Sequence, residues 1–523
     1  MPEQKCVLNP RRNAMHYLNL IIHSLILLIS LSIQAQADLN KIYPLQINTQ
    51  TAIQTVDEKF LSFAIDTSLA FGGYWWSENG SAKVSNFNFN NPKLQKLTMP
   101  LLPAYLRIGG TASDKTIYDL DGRPAPAASS ASETLTLPQW DSLNHFAQNL
   151  GLDVVFTLNA GPEARVGQKG WNPEYVRELI HYTVAHHYPV KVWELGNEIN
   201  LYGLNFGLRG KIELSRYEDD LREAKKLLAE EDPTSRLTGF SSAFWPILGE
   251  IIQPLLTRST SANDALDIVS WHYYPTQSDR FPLVRLRPSN ENTVIATKTL
   301  NEFKVLSPKI TEYVAAHFPS AQLWLGETGQ AQLGGQRGIS DRYISGLWWL
   351  DELGLGALTG QKVVVRQSLV GSQYGMLSQD TLGPNPDYWN SLFWKKLMGR
   401  HVLHVTSEGL PDTLRVYAHC TPQRANEYRP GALTVLALNI DSKETHEFSL
   451  ASLMHQNTYV YRFSSKEVLS QDVELNGAVL KLDANENVPF FNGQRVTSSL
   501  QNLPPRTYAF FVLADAHAEA CSH

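Results

Sequence analysis

The sequence predicts a (β/α)8 barrel followed by a C-terminal β-sandwich. Between residues 60 and 400, short runs rich in β-branched and aromatic residues alternate with amphipathic helical patterns. Eight such repeats over this length are typical of a (β/α)8 barrel. After residue 400 only strand patterns follow, separated by turn residues that include Asn476-Gly477, a pair common in hairpin turns. A doubly wound open sheet is the alternative, but no glycine-rich phosphate loop follows the first predicted strand.

The first 37 residues have the pattern of a secretory signal peptide. Arg11 and Arg12 precede an apolar stretch, Leu18–Ile33, which ends in the small-residue sequence Ala35-Gln36-Ala37. This order of positive, apolar and small residues is typical of exported proteins, with an uncleaved membrane anchor as the alternative. We therefore expect a secreted or periplasmic protein with no membrane span after signal removal.

Three further parts follow the predicted signal. Residues 38–58 are expected to add a strand to the sandwich, residues 59–400 to form the barrel, and residues 401–523 to form the sandwich. The predicted barrel strands are Phe60–Asp66, Tyr105–Gly110, Asp153–Ala160, Val190–Glu198, Leu237–Ser242, Asp267–Tyr274, Gln322–Thr328 and Lys362–Ser368. The predicted helices are Gln139–Leu150, Pro173–His186, Ser215–Glu231, Thr293–His317 and Asp341–Leu355. The predicted sandwich strands are Leu414–Cys420, Leu433–Ile440, Tyr459–Phe463, Val473–Leu482 and Tyr508–Leu513.

Composition excludes several classes of protein. With 43% hydrophobic and 18% charged residues, the chain is neither a disordered polymer, a coiled coil nor a polytopic membrane protein. Its 45 Lys and Arg against 51 Asp and Glu argue against the basic surface that holds nucleic acid. Of three cysteines, Cys6 would leave with the signal. Cys420 and Cys521 then form either one disulfide or two free buried thiols.

Two glutamates stand where a barrel places its catalytic groups. Glu198 ends the fourth predicted strand, in Trp193–Glu198, and Glu327 ends the seventh, in Trp324–Thr328. Residues at the carboxyl ends of barrel strands face the active site, so we expect the two carboxylates to converge across the barrel mouth. Either glutamate alone would more often be a solvated charge. Together they indicate glycoside cleavage with retention, in which the carboxyls lie about 5–5.5 Å apart.

The two glutamates are expected to divide the chemistry. Glu198 would be the general acid and base, protonating the leaving oxygen first and then accepting a proton from water. Glu327 would be the nucleophile. Asn197 is placed to hydrogen-bond the 2-hydroxyl of the sugar, with capping of the next helix as its alternative role.

Other strand ends offer supporting groups. Arg107 would pair with Glu327 and keep it ionised, or form a buried structural pair with Glu194. Tyr274 is favoured as a hydroxyl donor to Glu327, with a plain aromatic wall as the alternative. Further expectations are sugar contacts from Asp66 and Asn159, and a structural position inside the barrel for Arg366-Gln367.

Several segments together resemble the heparanases of glycoside hydrolase family 79. These segments are Ala104–Thr111, Trp193–Glu198, Trp271–Tyr274, Trp324–Thr328, Pro386–Leu397 and Leu414–Thr421. The similarity extends from about Phe60 to Cys521. It implies a retaining β-glucuronidase acting on uronate-containing glycans, with Glu198 as acid/base, Glu327 as nucleophile and a Cys420–Cys521 disulfide. The residues at positions where the family contacts the uronic acid or a nearby sugar are Asp66, Thr111, Asn197, His272, Tyr274, Gln332, Gly334, Gln373 and Tyr374. The resemblance further implies that Tyr374 and adjoining backbone amides grip the uronate carboxylate, as backbone amides can hold an anion without a cation.

The chain also departs from the animal heparanases. The segment Asp114–Gln139 is short where those enzymes carry a long excised piece, so we expect one unprocessed chain. Their Lys/Arg-rich stretches are missing, and the corresponding region, Trp245–Thr257, is apolar and acidic. The cations left in loops near the barrel mouth would bind sulfates or carboxylates of a polyanionic glycan, or would be ordinary solvated charges. They are Arg165, Lys169, Arg280, Arg285, Arg287 and Arg337.

The sequence therefore predicts a retaining glycoside hydrolase, endo- or exo-acting, that cleaves β-glucuronides in oligo- or polysaccharides such as glycosaminoglycans. The alternatives are another glycoside, such as an arabinoside or xyloside, and a non-catalytic carbohydrate-binding protein. No cofactor or metal is expected, because the 15 histidines show no metal-ligand spacing. Nucleic acid is not an expected partner.

Overall fold

The structure is a computed structural model that describes residues 41–77, 80–84, 87–120, 133–165, 170–262, 264–423, 428–453 and 457–522. The predicted signal peptide at residues 1–37, the first residues of the 38–58 segment and Lys169 lie outside the described residues. No helix within the described ranges has both the length and the apolar character needed to cross a bilayer.

Eight parallel strands close into a barrel, in agreement with the predicted fold class. They are β1 Leu61–Asp66, β2 Tyr105–Gly109, β3 Asp153–Leu158, β4 Val190–Leu195, β5 Arg236–Trp245, β6 Ile268–Tyr273, β7 Gln322–Thr328 and β8 Val363–Arg366. Each strand pairs with its neighbours along the chain, and β1 pairs with β8 to complete the ring. The predicted strands therefore match the observed ones, apart from a few residues at their ends.

Helices cover the outside of the barrel. The longer ones are α1 Pro92–Thr98, α2 Leu137–Leu150, α3 Glu174–Ala185, α4 Leu214–Glu231, α5 Thr297–His317, α6 Tyr343–Leu358 and α7 Pro386–Leu397. Shorter helices are Thr67–Phe71, Tyr202–Asn205 and Glu291–Val294, and short strand pairs in the loops are Gly73–Ser77 with Gly80–Val84, Thr116–Asp119 with Glu133–Thr136, and Thr276–Gln277 with Ala331–Gln332. Between β5 and β6 the described residues contain a short strand, Gly249–Glu250, and a 3-10 turn, Leu256–Arg258, in place of a helix.

Side chains alternate between the inside and the outside of the barrel, as the period of a strand requires. One apolar layer fills the interior and consists of Ala64, Tyr105, Val155, Val192, Ile268, Trp324, Val363 and Val365. The rings of Tyr105 and Trp324 lie 4.9 Å apart although β2 and β7 are not neighbours, so they meet across the interior. Arg107 lies two residues beyond Tyr105 on β2, and Glu194 lies two residues beyond Val192 on β4. Both side chains therefore point inward above this layer. The barrel floor is therefore apolar and its upper interior is charged.

The C-terminal strands form two packed sheets. The larger sheet has the order Ala478–Val479, Glu474–Leu475, Thr458–Ser464, Thr507–Leu513, Leu433–Asn439, Leu414–Cys420, His401–Leu403 and Gln54–Thr55, with Gln494–Val496 pairing to Thr458–Ser464. The smaller sheet contains Ile42–Pro44, His446–Ser449 and Leu500–Leu503. Thus Ile42–Pro44 and Gln54–Thr55, from the N-terminal segment, both pair with sandwich strands. The predicted strand Val473–Leu482 is instead a tight hairpin, because Asn476 and Gly477 both have positive φ, 52° and 84°.

The larger sheet is buried on both faces. Along Leu433–Asn439, Leu433, Val435 and Ala437 pack into the sandwich core, whereas Leu436 and Leu438 belong to the core shared with the barrel. This burial on both faces joins the sandwich rigidly to the barrel. A Cys420–Cys521 disulfide with an S–S distance of 2.01 Å ties the C-terminus to the sheet.

Candidate active site

A cavity of about 140 Å³ lies at the carboxyl ends of the barrel strands. Its polar lining residues are Asp66, Thr111, Asn197, Glu198, Tyr274, Glu327, Gln332, Gln367 and Tyr374, and the others are Gly110, Leu201, Trp245, Phe281 and Leu333. Both predicted glutamates and six of the nine predicted substrate contacts therefore line one cavity.

Glu327 faces this cavity because β7 carries a bulge. Trp271 of β6 pairs with Leu325, but His272 pairs with Glu327, so Gly326 is an extra residue. A Cβ on Gly326 would lie 2.0 Å from Oγ of Ser270, which shows that Gly326 faces the barrel interior. Strict alternation would then point Glu327 outward. The bulge turns Glu327 inward instead, which is a common use of bulges near active sites.

Glu327 is held on both oxygens. Arg107 donates from Nη1 to Oε2 at 2.7 Å, and the Tyr274 hydroxyl donates to Oε1 at 2.5 Å. Burial by itself would raise the pKa of the Glu327 carboxyl. The neighbouring His272 and Arg107 and the hydrogen bonds from Tyr274 and Arg107 outweigh burial and hold that pKa below its ordinary value. These contacts favour the ionised form of the Glu327 carboxyl.

Arg107 makes both of the contacts that the sequence left as alternatives. Its Nε donates to Glu194 Oε2 at 2.9 Å while Nη1 contacts Glu327, and Nη2 donates to Asn197 Oδ1 at 2.9 Å. Glu194 also accepts hydrogen bonds from Thr157 and Ser241. One buried guanidinium thus fixes three side chains, which its planar fork of donors allows. Arg107 thus fixes Oδ1 of Asn197, and the amide nitrogen of Asn197 can donate to a ligand in the cavity.

Glu198 lies opposite Glu327. It has a left-handed backbone conformation, φ 50° and ψ 52°, which is uncommon for a residue with a side chain and is typical of functional sites. Its N–H donates to Ser241 O at 3.1 Å, and its Oε1 lies 3.3 Å from Nδ1 of His272. Oxygen atoms of Glu198 and Glu327 lie within 4.8 Å of each other. The cavity can therefore hold one reacting atom between two carboxyl groups.

The far wall of the cavity is built around Asp66. Its Oδ1 caps the short helix that follows β1 by accepting from Ser68 N at 2.9 Å, and its Oδ2 accepts from Gln367 at 3.4 Å. Gly110 makes room for this carboxylate, since a Cβ there would lie 2.2 Å from Asp66 Oδ2. Oε1 atoms of Gln332 and Gln367 have no hydrogen-bond partner within the described part of the chain. Sugar hydroxyls are suitable donors for them.

Four predicted positions lie outside the cavity lining. His272 is fully buried, with its Nδ1 3.3 Å from Glu198 Oε1, and it also lies close to Glu327. Gly334 and Gln373 are not among the lining residues, and Gln373 N donates to Gly334 O at 2.9 Å. The expectation that Asn159 contacts sugar is wrong, since its amide bonds Thr116 O and Gly161 N inside the protein. Its polar atoms are satisfied by the backbone.

Two of the predicted rim cations are structural instead. Arg165 donates to Asp220 Oδ2 at 2.6 Å and to Ala160 O at 3.0 Å, and Arg287 donates to Glu302 Oε2 at 2.5 Å. Both guanidinium groups are buried, so they cannot bind a polyanion at the surface. Arg280 is half-buried and donates to the carbonyls of residues 333 and 335. Arg285 and Arg337 are exposed, and neither lines the cavity.

Sequence reasoning missed Gln367 and the rings of Trp245 and Phe281. Arg366-Gln367 was expected to be structural. Arg366 is structural, since its guanidinium lies 2.6 Å from the Asp387 carboxylate. Gln367, however, lines the cavity. The apolar character of the segment that begins at Trp245 was a signal for the rings, although nothing in the sequence showed that Phe281 would join it.

Glu198, His272 and Glu327 also form a group whose ligand atoms are close enough to hold a metal ion. The sequence spacing did not show this group because its members come from three strands. Arg107 and Tyr274 already occupy both oxygens of Glu327, and a guanidinium at 2.7 Å repels a cation. The donor set therefore fits proton and carboxylate chemistry better than it fits metal binding.

Comparisons with known proteins identify the family of this chain. A sequence model described as "Glycosyl hydrolase family 79, N-terminal domain" matches residues 43–354. Heparanase-like protein 1 of Arabidopsis thaliana is 30% identical over 89% of this chain and 92% of the relative. Heparanase of Mus musculus is 29% identical over 93% of this chain and 95% of the relative. Hyaluronoglucuronidase of Hirudo nipponia is 28% identical over 91% of this chain and 98% of the relative.

Solved structures share the fold at low sequence identity. A 4-O-α-L-rhamnosyl-β-D-glucuronidase from Fusarium oxysporum has a TM-score of 0.64 at 16% identity, covering 90% of this chain and 100% of that chain. An α-L-arabinofuranosidase from Thermotoga maritima has a TM-score of 0.62 at 14% identity, covering 90% and 99%. These two likenesses concern the fold alone. The family model and the 30%-identical relative show more than the fold. The chain belongs to glycosyl hydrolase family 79.

Proposed function

We propose that this protein is a retaining β-glucuronidase that cleaves uronate-containing glycans. The observation that carries this proposal is the separation of the two carboxyl groups, whose oxygens lie within 4.8 Å of each other. Retaining glycosidases hold their carboxyl groups about 5–5.5 Å apart, whereas inverting enzymes leave about 6.5–9.5 Å for a water molecule. The relatives named heparanase and hyaluronoglucuronidase support the substrate class.

The contacts of each carboxyl group support its role. Glu327 is kept ionised by Arg107 and Tyr274, so it can attack the anomeric carbon while Glu198 gives its proton to the leaving oxygen. A glycosyl ester then forms on Glu327 and removes its negative charge. Glu198 next takes a proton from water while the water oxygen attacks the anomeric carbon, and the bond from that carbon to Glu327 breaks. The second displacement restores the Glu327 carboxylate and releases the sugar with its configuration retained.

Backbone groups near Tyr374 support uronate binding. Leu333, Gly334 and Gly335 have positive φ of 56°, 82° and 83°, so the β7 loop turns tightly against the loop after β8. A Cβ on Gly335 would lie 3.0 Å from Tyr374 N, and glycine therefore permits this close approach. Loops of this kind direct amide groups towards an anion. The proposed role of Tyr374 and its neighbouring amides is to hold the uronate carboxylate.

Export from the cytoplasm is part of the proposal. It is supported by the signal-like sequence at residues 1–37 and by the Cys420–Cys521 disulfide, because structural disulfides persist in oxidising compartments. N-terminal sequencing of the exported protein tests it, with residue 38 expected as the first residue. A mature chain that still carries residues 1–37 would contradict cleavage.

The activity is tested with 4-nitrophenyl β-glucuronide and the matching arabinoside and xyloside. We expect hydrolysis of the glucuronide, with the β-anomer of glucuronate as the first product in a proton NMR time course. A first product with α-configuration would contradict retention. Activity on the arabinoside or xyloside alone would contradict the proposed substrate. Products from defined glucuronate oligomers then distinguish endo-action, which shortens chains internally, from exo-action, which releases free glucuronate.

A further inference from the structure

The wall of the cavity beside Glu198 is aromatic. Trp245 ends β5 and Phe281 lies in the loop after β6, and both line the cavity. Their ring centroids are 5.3 Å apart with an interplanar angle of 80°. We refer to Trp245 and Phe281 together as the ring platform. Both rings are half-buried, so each has a surface available to a ligand.

The ring platform is fixed by a carboxylate on the outer helix layer. Glu302 of α5 accepts from Ile247 N at 2.5 Å, which anchors the loop after Trp245. The same carboxylate accepts from Arg287 at 2.5 Å, which anchors the loop that carries Phe281. Both loops are therefore tied to one point, so the platform needs little ordering when a ligand binds.

The cavity is also without positive charge in the described residues. Its charged lining groups are the carboxylates of Asp66, Glu198 and Glu327. Arg280, the nearest cation in sequence to Phe281, donates to backbone carbonyls of the β7 loop. A sulfate group on a sugar next to Glu198 would face carboxylates with no cation in the wall, which is unfavourable at short range.

We propose that the ring platform is the subsite for the leaving group, and that it selects an uncharged ring with an apolar face over a sulfated sugar. The inference rests on the proposed function, because it takes Glu198 as the proton donor. The leaving group must lie next to that donor. Glu198 N bonds to Ser241 O of β5, the strand that ends in Trp245, so the platform and the donor lie on one side of the cavity. A neutral sugar and an aryl group share the required chemistry, since both present an apolar face to an aromatic ring.

The experiment compares leaving groups on one glucuronyl unit. The four substrates are β-glucuronyl fluoride, which carries no ring, 4-nitrophenyl β-glucuronide, a disaccharide of β-glucuronate on N-acetylglucosamine, and its 6-O-sulfated form. For the unaltered protein we expect kcat/KM for the neutral disaccharide to exceed that for the sulfated one by about tenfold. An equal or higher value for the sulfated substrate would overturn the inference.

Variants of the ring platform complete the test. Trp245→Ala is expected to lower the ratio of kcat/KM for the ring substrates to kcat/KM for the fluoride by about tenfold. Phe281→Ala is expected to lower the same ratio, and it replaces Trp245→Ala in the test if Trp245→Ala does not fold. Leu248→Ala, in the same loop and 49% exposed, is the matched control and should leave this ratio unchanged. Phe281→Lys should raise the relative rate on the sulfated disaccharide.

Failures of the two proposals give different results. If no β-glucuronide is hydrolysed, including the fluoride, the proposed function is wrong and the subsite assignment fails with it. If the fluoride and the neutral disaccharide are hydrolysed but neither ring variant changes their ratio, only the assignment of the ring platform is wrong. The double variant Trp245→Ala/Phe281→Ala provides one more check. If it lowers kcat/KM for the fluoride as much as for the ring substrates, the assignment of the ring platform is likewise wrong.

Discussion

The two carboxyl groups of the cavity lie within 4.8 Å of each other but are held in different ways. Glu327 accepts from Arg107 and Tyr274 on separate oxygens, and its side chain is 9% exposed. Glu198 contacts His272 at 3.3 Å, and its side chain is 16% exposed. The β7 side of the cavity therefore holds its carboxylate by an arginine and a tyrosine, whereas the β4 side holds its carboxyl by a longer contact to a histidine and leaves it more exposed. This difference matches the separate needs of a nucleophile and an acid/base group.

Removing each carboxyl group in turn gives the largest expected effect. Glu327→Ala should lower kcat/KM by at least about 10⁴-fold on both 4-nitrophenyl glucuronide and glucuronyl fluoride, because no nucleophile remains. Glu198→Ala should lower it by about 10²–10⁴-fold on alkyl glucuronides and far less on the fluoride, since fluoride leaves without a proton.

Added azide sharpens this comparison. With Glu327→Ala, azide fills the vacated side of the sugar and should give the α-glucuronyl azide. With Glu198→Ala, azide should attack the glycosyl ester and give the β-azide. NMR of the products distinguishes the two, and the same anomer from both variants would contradict the assigned roles.

Replacing the cation on the β7 side should have the next largest effect. Arg107→Lys keeps the charge but loses the fork that serves Glu194, Asn197 and Glu327, so kcat should fall about 100-fold. Arg165→Lys is the matched control, because Arg165 pairs with Asp220 away from the cavity. Its kcat should stay within about twofold of the unaltered protein even if its melting temperature falls. A comparable loss of kcat in both variants would contradict a local role for Arg107.

The tyrosine on Glu327 should have a smaller effect with a distinct pH signature. Tyr274→Phe removes a hydrogen bond that stabilises the charged carboxylate, so the pKa of Glu327 should rise towards its ordinary value. The acidic limb of the kcat/KM profile should then move to higher pH, and kcat should fall about tenfold. Tyr273→Phe loses a hydrogen bond to Glu302 at 2.7 Å and should leave the acidic limb in place.

The smallest expected effect is on stability and comes from the β4 side. Asp114 accepts from Asn197 N at 3.0 Å, and burial raises the pKa of Asp114 to about 7 from 3.8. In the unfolded chain this group ionises first as the pH rises, so its contribution to stability is complete below about pH 4 and is lost as the pH rises to about 7.

Asp114→Asn should flatten this dependence. Free energies of unfolding from urea titrations at pH 4.5 and 7.5 measure it, and the difference between the two pH values should shrink in the variant. Part of the slope should remain, because burial also raises the pKa of Glu352, to about 8. An unchanged slope would show that the Asp114 carboxyl is ionised in the folded protein across this range.

Much of the site could be predicted because strand ends are local features of the sequence. The order of apolar runs located the eight strands, and their last residues gave Glu198, Glu327, Asp66 and Tyr274. The role of Arg107 was predicted only as a choice between Glu194 and Glu327. It contacts both because the two carboxylates approach one guanidinium in the barrel interior, and distances between strands are absent from a linear pattern.

The loops were predicted less well, for a physical reason. A cation in a loop has the same sequence signature whether it is solvated or buried. Arg165 and Arg287 are buried because Asp220 and Glu302, which lie on outer helices, supply their counter-charges. The meeting of Trp245 with Phe281 depends likewise on where two separate loops are anchored.

The sequence by itself determined the alternation of strands and helices and the placement of two glutamates at the ends of the fourth and seventh strands. Tertiary structure decided which way those glutamates point. Alternation along β7 would aim Glu327 out of the barrel, and the extra residue Gly326 turns it inward. A bulge of this kind is set by pairing with the neighbouring strand, and pairing exists only once the barrel has closed.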